Sequence, residues 1–143
     1  IIMFSKTNLI STLAATIWGY FGGYLLWGII GDSLLADYSG SATGVMKVAV
    51  DHVHLLLGCL ILAFAFSTIY SKWARGAHSV SQGVQFGIWM AILIGLGEGL
   101  IDFGTSNLLN ITGTFLNTVI YLVHFVIMGA IVSVVYNKLS TKE

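Results

Sequence analysis

Apolar and polar positions divide the chain into four long apolar runs, at about 9–30, 50–70, 83–103 and 115–136, with short polar stretches between them. Each run has roughly the 20 residues that a helix needs to cross a bilayer. The third run carries two further patterns. Small residues recur at every fourth position, Gly83, Gly87, Ala91, Gly95 and Gly99, which marks a surface where another helix approaches closely. Glu98 and Asp102 stand four residues apart and so share one helix face. At ~100° per residue both acids project into the small stripe, with Trp89, Leu93, Leu96 and Leu100 on the opposite side. The acids are therefore expected to face protein and the bulky side to face lipid. The first run repeats the rhythm with Ser11, Ala15, Gly19 and Gly23, and Trp18 and Trp27 read as interface anchors or packing residues. Residues 57–73 echo residues 122–139, with Tyr70-Ser71-Lys72 matching Tyr136-Asn137-Lys138. One arrangement compatible with this echo is two helical hairpins of the same orientation, related by an axis along the membrane normal.

Composition turns four apolar runs into a membrane protein. The 143 residues are 57% hydrophobic and 8% charged, with no proline, whereas a soluble domain carries about 25% charged residues. The fold class expected is all-α: an integral membrane four-helix bundle forming a single domain over 1–143. A net charge of zero with six scattered basic residues excludes a nucleic-acid-binding role. Cys59, alone, excludes an internal disulfide. The first run is too long, and lacks the small-residue cleavage site, to read as a signal peptide. Lys6, Lys72, Arg75, Lys138 and Lys142 fall on one side of the expected membrane and Lys47 on the other. Positive charge gathers on the cytoplasmic side, so both termini are expected there, in a bacterial inner membrane. The longest connection, 31–49, holds Asp32, Asp37 and the flexible Ser39-Gly40-Ser41, and is suited to folding over one mouth of the bundle.

With that topology the candidate chemistry falls at one depth. Asp51 and His54 open the second run on a common face. Asn117, Tyr121, His124 and Met128 share a face of the fourth, and Glu98 and Asp102 end the third. An acid inside a membrane is costly and is a functional candidate by default. His54, Glu98, Asp102 and His124 are the candidate metal ligands, since imidazole and carboxylate together bind divalent zinc, iron or manganese. Asp51, Asn117 and Tyr121 are the candidate proton-exchange or supporting groups, because carboxylate and imidazole also pass protons in transporters. A haem held by two histidines is the least favoured cofactor, as His124 sits some 7 Å deeper than His54.

The four-helix layout with glycine-rich segments is similar in outline to small multidrug transporters, but those carry their essential glutamate in the first helix, where this chain has no acid. Its size also resembles four-helix eicosanoid and glutathione enzymes of membranes, whose arginine-rich motifs are missing here. The likeness covers architecture alone. The function expected is a buried acid–histidine site in the outer half of the bilayer that binds a metal ion or exchanges protons, working as a homo-oligomer or beside other membrane subunits. The alternative is a structural or assembly subunit of a larger membrane complex. An enzyme ranks third, because no soluble catalytic motif or nucleophile is recognisable.

Overall fold

The computed structural model describes residues 3–140 of the chain; Lys142, one of the cations in the orientation count, lies outside them. The described residues form helices and connections with no strand, and a single isolated bridge joins Ser39 to Leu109. Four helices are long and apolar enough to cross a membrane: α1 (Lys6–Tyr38), α2 (His52–Trp73), α3 (Val80–Thr105) and α4 (Ile111–Leu139).

α1, α3 and α4 start ahead of their apolar stretches, α2 two residues inside its own, and polar caps set all four starts. Ser5, Asp51, Ser79 and Asn110 each sit before the first helical residue, and each side-chain oxygen accepts a backbone N–H three residues on. These are the residue types that satisfy the unpaired N–H groups of a first turn. At its far end α1 runs on through Asp32 and Asp37 to Tyr38, since no proline stops it and Gly31 keeps helical angles.

The helices run alternately up and down. One end of the bundle holds the start of α1, the end of α2, the start of α3 and the end of α4, linked through Asn8, Thr68, His78 and Tyr136. We call this the terminus end, and the opposite one the loop end. Lys6, Lys72, Arg75 and Lys138 are at the terminus end, and Lys47 is at the loop end. α4 is the central helix: it packs along both α1 and α3, while α2 leans mainly on α1 and barely meets α3. The core is built from Ala15, Ala63, Phe66, Tyr70, Phe86, Ala91, Phe125, Met128, Val132 and Tyr136.

The small stripe of α3 is the seam with α4. A Cβ added at Gly83 would stand 2.1 Å from the Gly129 carbonyl oxygen, and one at Gly87 2.2 Å from that of Phe125. The backbones touch there, which only a residue without a side chain allows. In α1 the stripe is used through Ser11 and Ala15, both fully buried, and through Gly19 against Cys59 and Met128. Gly23 contacts nothing.

Trp89, Leu93 and Leu100 face outward as expected, but Glu98 and Asp102 are not enclosed by protein: both are exposed, Asp102 at the rim of a cleft. The reason is helical phase. Residues Ala91–Glu98 wind as π-helix, with hydrogen bonds to the fifth residue. Each such turn takes in one residue more than an α turn, so side chains beyond it lag the ~100° count. Gly95 still meets the Tyr121 side chain, while Glu98 and Asp102 have swung out of the seam.

The connection after α1 does fold over the loop end. Gly40 N–H donates to Leu108 O at 2.9 Å, Ala42 N–H to Asn107 O at 3.0 Å, and Asn110 N–H to Tyr38 O at 2.9 Å. At the terminus end, the connection from α2 to α3 is tied down by His78. Its carbonyl accepts from Asn137 Nδ2, and its ring lies 4.9 Å from that of Tyr136 and 5.7 Å from that of Tyr70. Burial pushes the His78 imidazole below its usual value of 6.5. A base whose folded pKa is lowered favours folding above its unfolded value and loses that contribution as pH falls through the folded one. Unfolding in detergent should therefore become easier between pH 7 and pH 5 by more in wild type than in His78→Gln. Identical pH profiles for the two proteins would contradict this.

Candidate functional site

The seven sequence-selected residues all lie towards the loop end; five of them fall into two separate groups, and Glu98 and Asp102 belong to neither. The first is at the start of α2. Asp51 caps the helix, accepting the His54 N–H at 3.2 Å, and its second oxygen accepts from His54 Nδ1 at 2.7 Å. These hydrogen bonds, the backbone one foremost, hold the Asp51 carboxyl below its usual value of 3.8. Lys47 approaches Asp51 at 3.8 Å, an exposed pair of little energetic weight. The arrangement fixes the His54 tautomer: Nδ1 carries the proton donated to Asp51, which leaves Nε2 as the unprotonated nitrogen.

The second group is an aromatic box built by α1 and α4. His124 is 6% exposed. Its ring lies 5.9 Å from that of Trp18, nearly parallel, and 5.2 Å from that of Trp27, edge to face. Trp18 Nε1 donates to the His124 carbonyl at 2.9 Å, and Trp27 Nε1 donates to Asn117 Oδ1 at 2.8 Å. Tyr121 packs edge to face on Trp27 at 4.8 Å. His124 Nδ1 takes no hydrogen bond. The two tryptophans were not legible as partners of one histidine. Nine residues apart, they lie two and a half turns from each other on a regular helix and so point opposite ways. The π-helical stretch Tyr24–Gly31 changes that phase and turns Trp27 to the side Trp18 already occupies.

The two groups meet in one shallow groove of about 260 Å³ between α1, α2 and α4, lined by Gly19, His54, Gly58, Cys59 and His124, with Leu55 and Leu62 as its apolar walls. Both histidines therefore border a common space. Asp102 and Asn117 border a different one, a cleft of about 100 Å³ closed by Leu108 and Leu109 of the loop end. Tyr121 stands between, within electrostatic reach of Asp102 and Glu98. Neither carboxylate takes a side-chain hydrogen bond or ion pair from a described residue. The structure thus joins His54 with Asp51 and places His124 on the same groove, but it does not bring Glu98 and Asp102 to either histidine. Among the described residues no three His, Cys, Asp or Glu side chains are grouped to hold a metal ion.

A third polar node went unnoticed in the sequence. Asn8, 1% exposed, lies before the first apolar run and reads there as an ordinary polar residue. Its Nδ2 donates to Met3 O at 2.6 Å and to Thr68 Oγ1 at 2.8 Å, and its Oδ1 accepts from Ser67 Oγ at 2.6 Å and from the Tyr136 hydroxyl at 2.9 Å. All four positions of the amide are used, which locks α1, α2 and α4 together. No protein-family model, curated protein or solved structure matches this chain.

Proposed function

We propose that this chain is a small polytopic membrane protein that exchanges protons at the groove shared by His54 and His124, in the outer half of the bilayer and with both termini cytoplasmic. One observation carries the reading: His124, buried and with Nδ1 unpartnered, borders the same groove as His54, which Asp51 orients. Imidazole is the side chain whose charge changes near neutral pH. A groove of about 260 Å³ has room for several waters, each needing about 30 Å³. A proton taken by the His124 imidazole gives an imidazolium packed against Trp18 and Trp27, whose π-systems offset part of the cost of burying the charge. Water in the groove carries the proton to His54 Nε2, and the Asp51 carboxylate stabilises the charged ring. The other titratable groups nearby are Cys59 on the groove itself, and His52 and Lys47 beside Asp51; Glu98 and Asp102 reach only Tyr121. Of the two chemistries expected, proton exchange draws support from this geometry, whereas a metal centre would require Glu98 and Asp102 to turn inward.

The test is proton flux into vesicles reconstituted with purified protein, followed by an internal pH dye under an imposed potassium potential. Wild type should dissipate the gradient at least tenfold faster than His124→Gln, with His54→Gln intermediate. Flux no greater than in protein-free vesicles would end the proposal.

A specific observation also favours the second reading, that of a subunit which assembles with others or with itself. Glu98 and Asp102 are exposed on a span, with no cation beside them. Acids rarely stay unpaired there. A partner covering that face of α3 would supply what this chain does not. The two-hairpin relation belongs to the same reading: Tyr70 and Tyr136, equivalent in the sequence echo, meet with ring centres 5.7 Å apart.

A further inference from the structure

The His54–His124 groove has features that water traffic alone does not require. We propose that it binds the ring headgroup of a lipid-soluble quinone. The inference rests on reading this groove as the working site. It opens on the side of the bundle, between spans, so its ligand arrives through hydrocarbon. No lysine, arginine or free carboxylate lines it, so the ligand is neutral, and a phospholipid phosphate or a fatty-acid carboxylate would find no counter-charge. Its polar groups are two imidazoles, that of His54, held by Asp51, and that of His124, packed against Trp18 and Trp27. Imidazole nitrogen donates to a ring carbonyl in one tautomer and accepts from a ring hydroxyl in the other, which suits both a quinone and its quinol. Two glycines shape the space. At Gly58 a Cβ would meet nothing within 4 Å, and Gly19 presents only its backbone to the same groove. Missing side chains on both walls leave a slot for a flat ring rather than a pocket for a branched one. The volume, about 260 Å³, is at the lower edge of the roughly 300–1,000 Å³ typical of ligand sites, so a single ring fits with its tail left in lipid. Binding alone is proposed; any reduction would need an electron donor from outside the chain.

Trp18 stacks on His124, a lining residue of the groove, so a quinone seated there should quench its fluorescence. The experiment titrates a benzoquinone carrying a ten-carbon tail into the full chain in lipid nanodiscs and follows tryptophan emission. Wild type should quench saturably. Gly58→Leu, which fills the groove without touching the core, should weaken binding at least tenfold while eluting as wild type on size exclusion. Gly23→Leu, equally open but away from the groove, should keep wild-type affinity and so reports partitioning into lipid. Quenching that rises linearly without saturation, or equal affinity in wild type and Gly58→Leu, would overturn the proposal. The proton-flux assay is run without quinone, which separates the two ideas. Flux without saturable binding removes only the quinone, and binding without flux removes only the proton exchange.

Discussion

Gly83→Leu and Gly87→Leu are each expected to abolish recovery of folded protein. At both positions the first atom of any side chain would lie within 2.2 Å of a backbone oxygen of α4, at Gly129 and Phe125. A flexible side chain can give way, but a helix backbone cannot unless the whole helix moves. Overpacking a core by a methylene or two costs typically 1–3 kcal/mol. Here α3 must part from the central helix along its length, and the expected loss exceeds that range. In lipid the seam has no hydrophobic drive of its own and depends on this close approach. Gly95→Leu should be milder, because its Cβ would press on the Tyr121 side chain at 2.7 Å rather than on backbone. Gly23→Leu and Gly104→Leu, where a Cβ meets nothing, serve as controls. The measurement is yield and monodispersity on size exclusion in mild detergent. A Gly83→Leu protein that elutes as wild type with an unchanged melting midpoint would show that the helices are not in contact there.

Asn8→Leu is expected to be the most damaging polar-to-apolar change. Leucine is close to asparagine in size, so the packing loss is small and the hydrogen bonds decide the outcome. The substitution strands the Ser67 and Tyr136 hydroxyls and removes the Thr68 partner, all within the bundle. Interhelical hydrogen bonds in membranes average about 0.6 kcal/mol and reach about 1.7, while a buried polar group left unsatisfied costs about 1–3 kcal/mol. Three stranded groups make a loss of about 2–4 kcal/mol reasonable. It is read from denaturant unfolding of the reconstituted protein. Tyr136→Phe should cost less, and the double substitution should cost less than the two singles added, by a coupling within the range of about 0.5–3 kcal/mol seen for residues in contact. A shift below about 0.5 kcal/mol for Asn8→Leu would mean that the amide is not the lock described.

How far the sequence carried this picture depends on helical phase. The four spans, their alternation and the seam at Gly83, Gly87 and Gly95 follow from apolar length and small-residue spacing, both of which survive local irregularity. What failed was anything requiring exact angular bookkeeping beyond a π-helical stretch. Regular phase puts Glu98 and Asp102 in the seam, and they stand outside it; it leaves Trp18 and Trp27, interface anchors or packing residues by sequence, on opposite sides of α1, and both pack on His124. Nothing in the residues Tyr24–Gly31 or Ala91–Glu98 announces that those turns are wide, since the same apolar and glycine residues make ordinary α-helix elsewhere in the chain. The pairing of His54 with Asp51 was legible, because a cap and a residue three positions later meet by local geometry alone. Asn8 was not, because three of its four partners come from 59 to 128 residues away.

The centrality of α4 has a consequence for how the protein is made. Of these four helices it leaves the ribosome last, yet it is the one that α1 and α3 both pack against, and it carries Tyr136, Gly129 and His124. Until it is inserted, the Asn8 oxygen has Ser67 but not Tyr136, the glycines of α3 have no facing backbone, and Trp18 and Trp27 have no imidazole between them. The three helices before it stand as an unfinished arch, and α4 is its keystone.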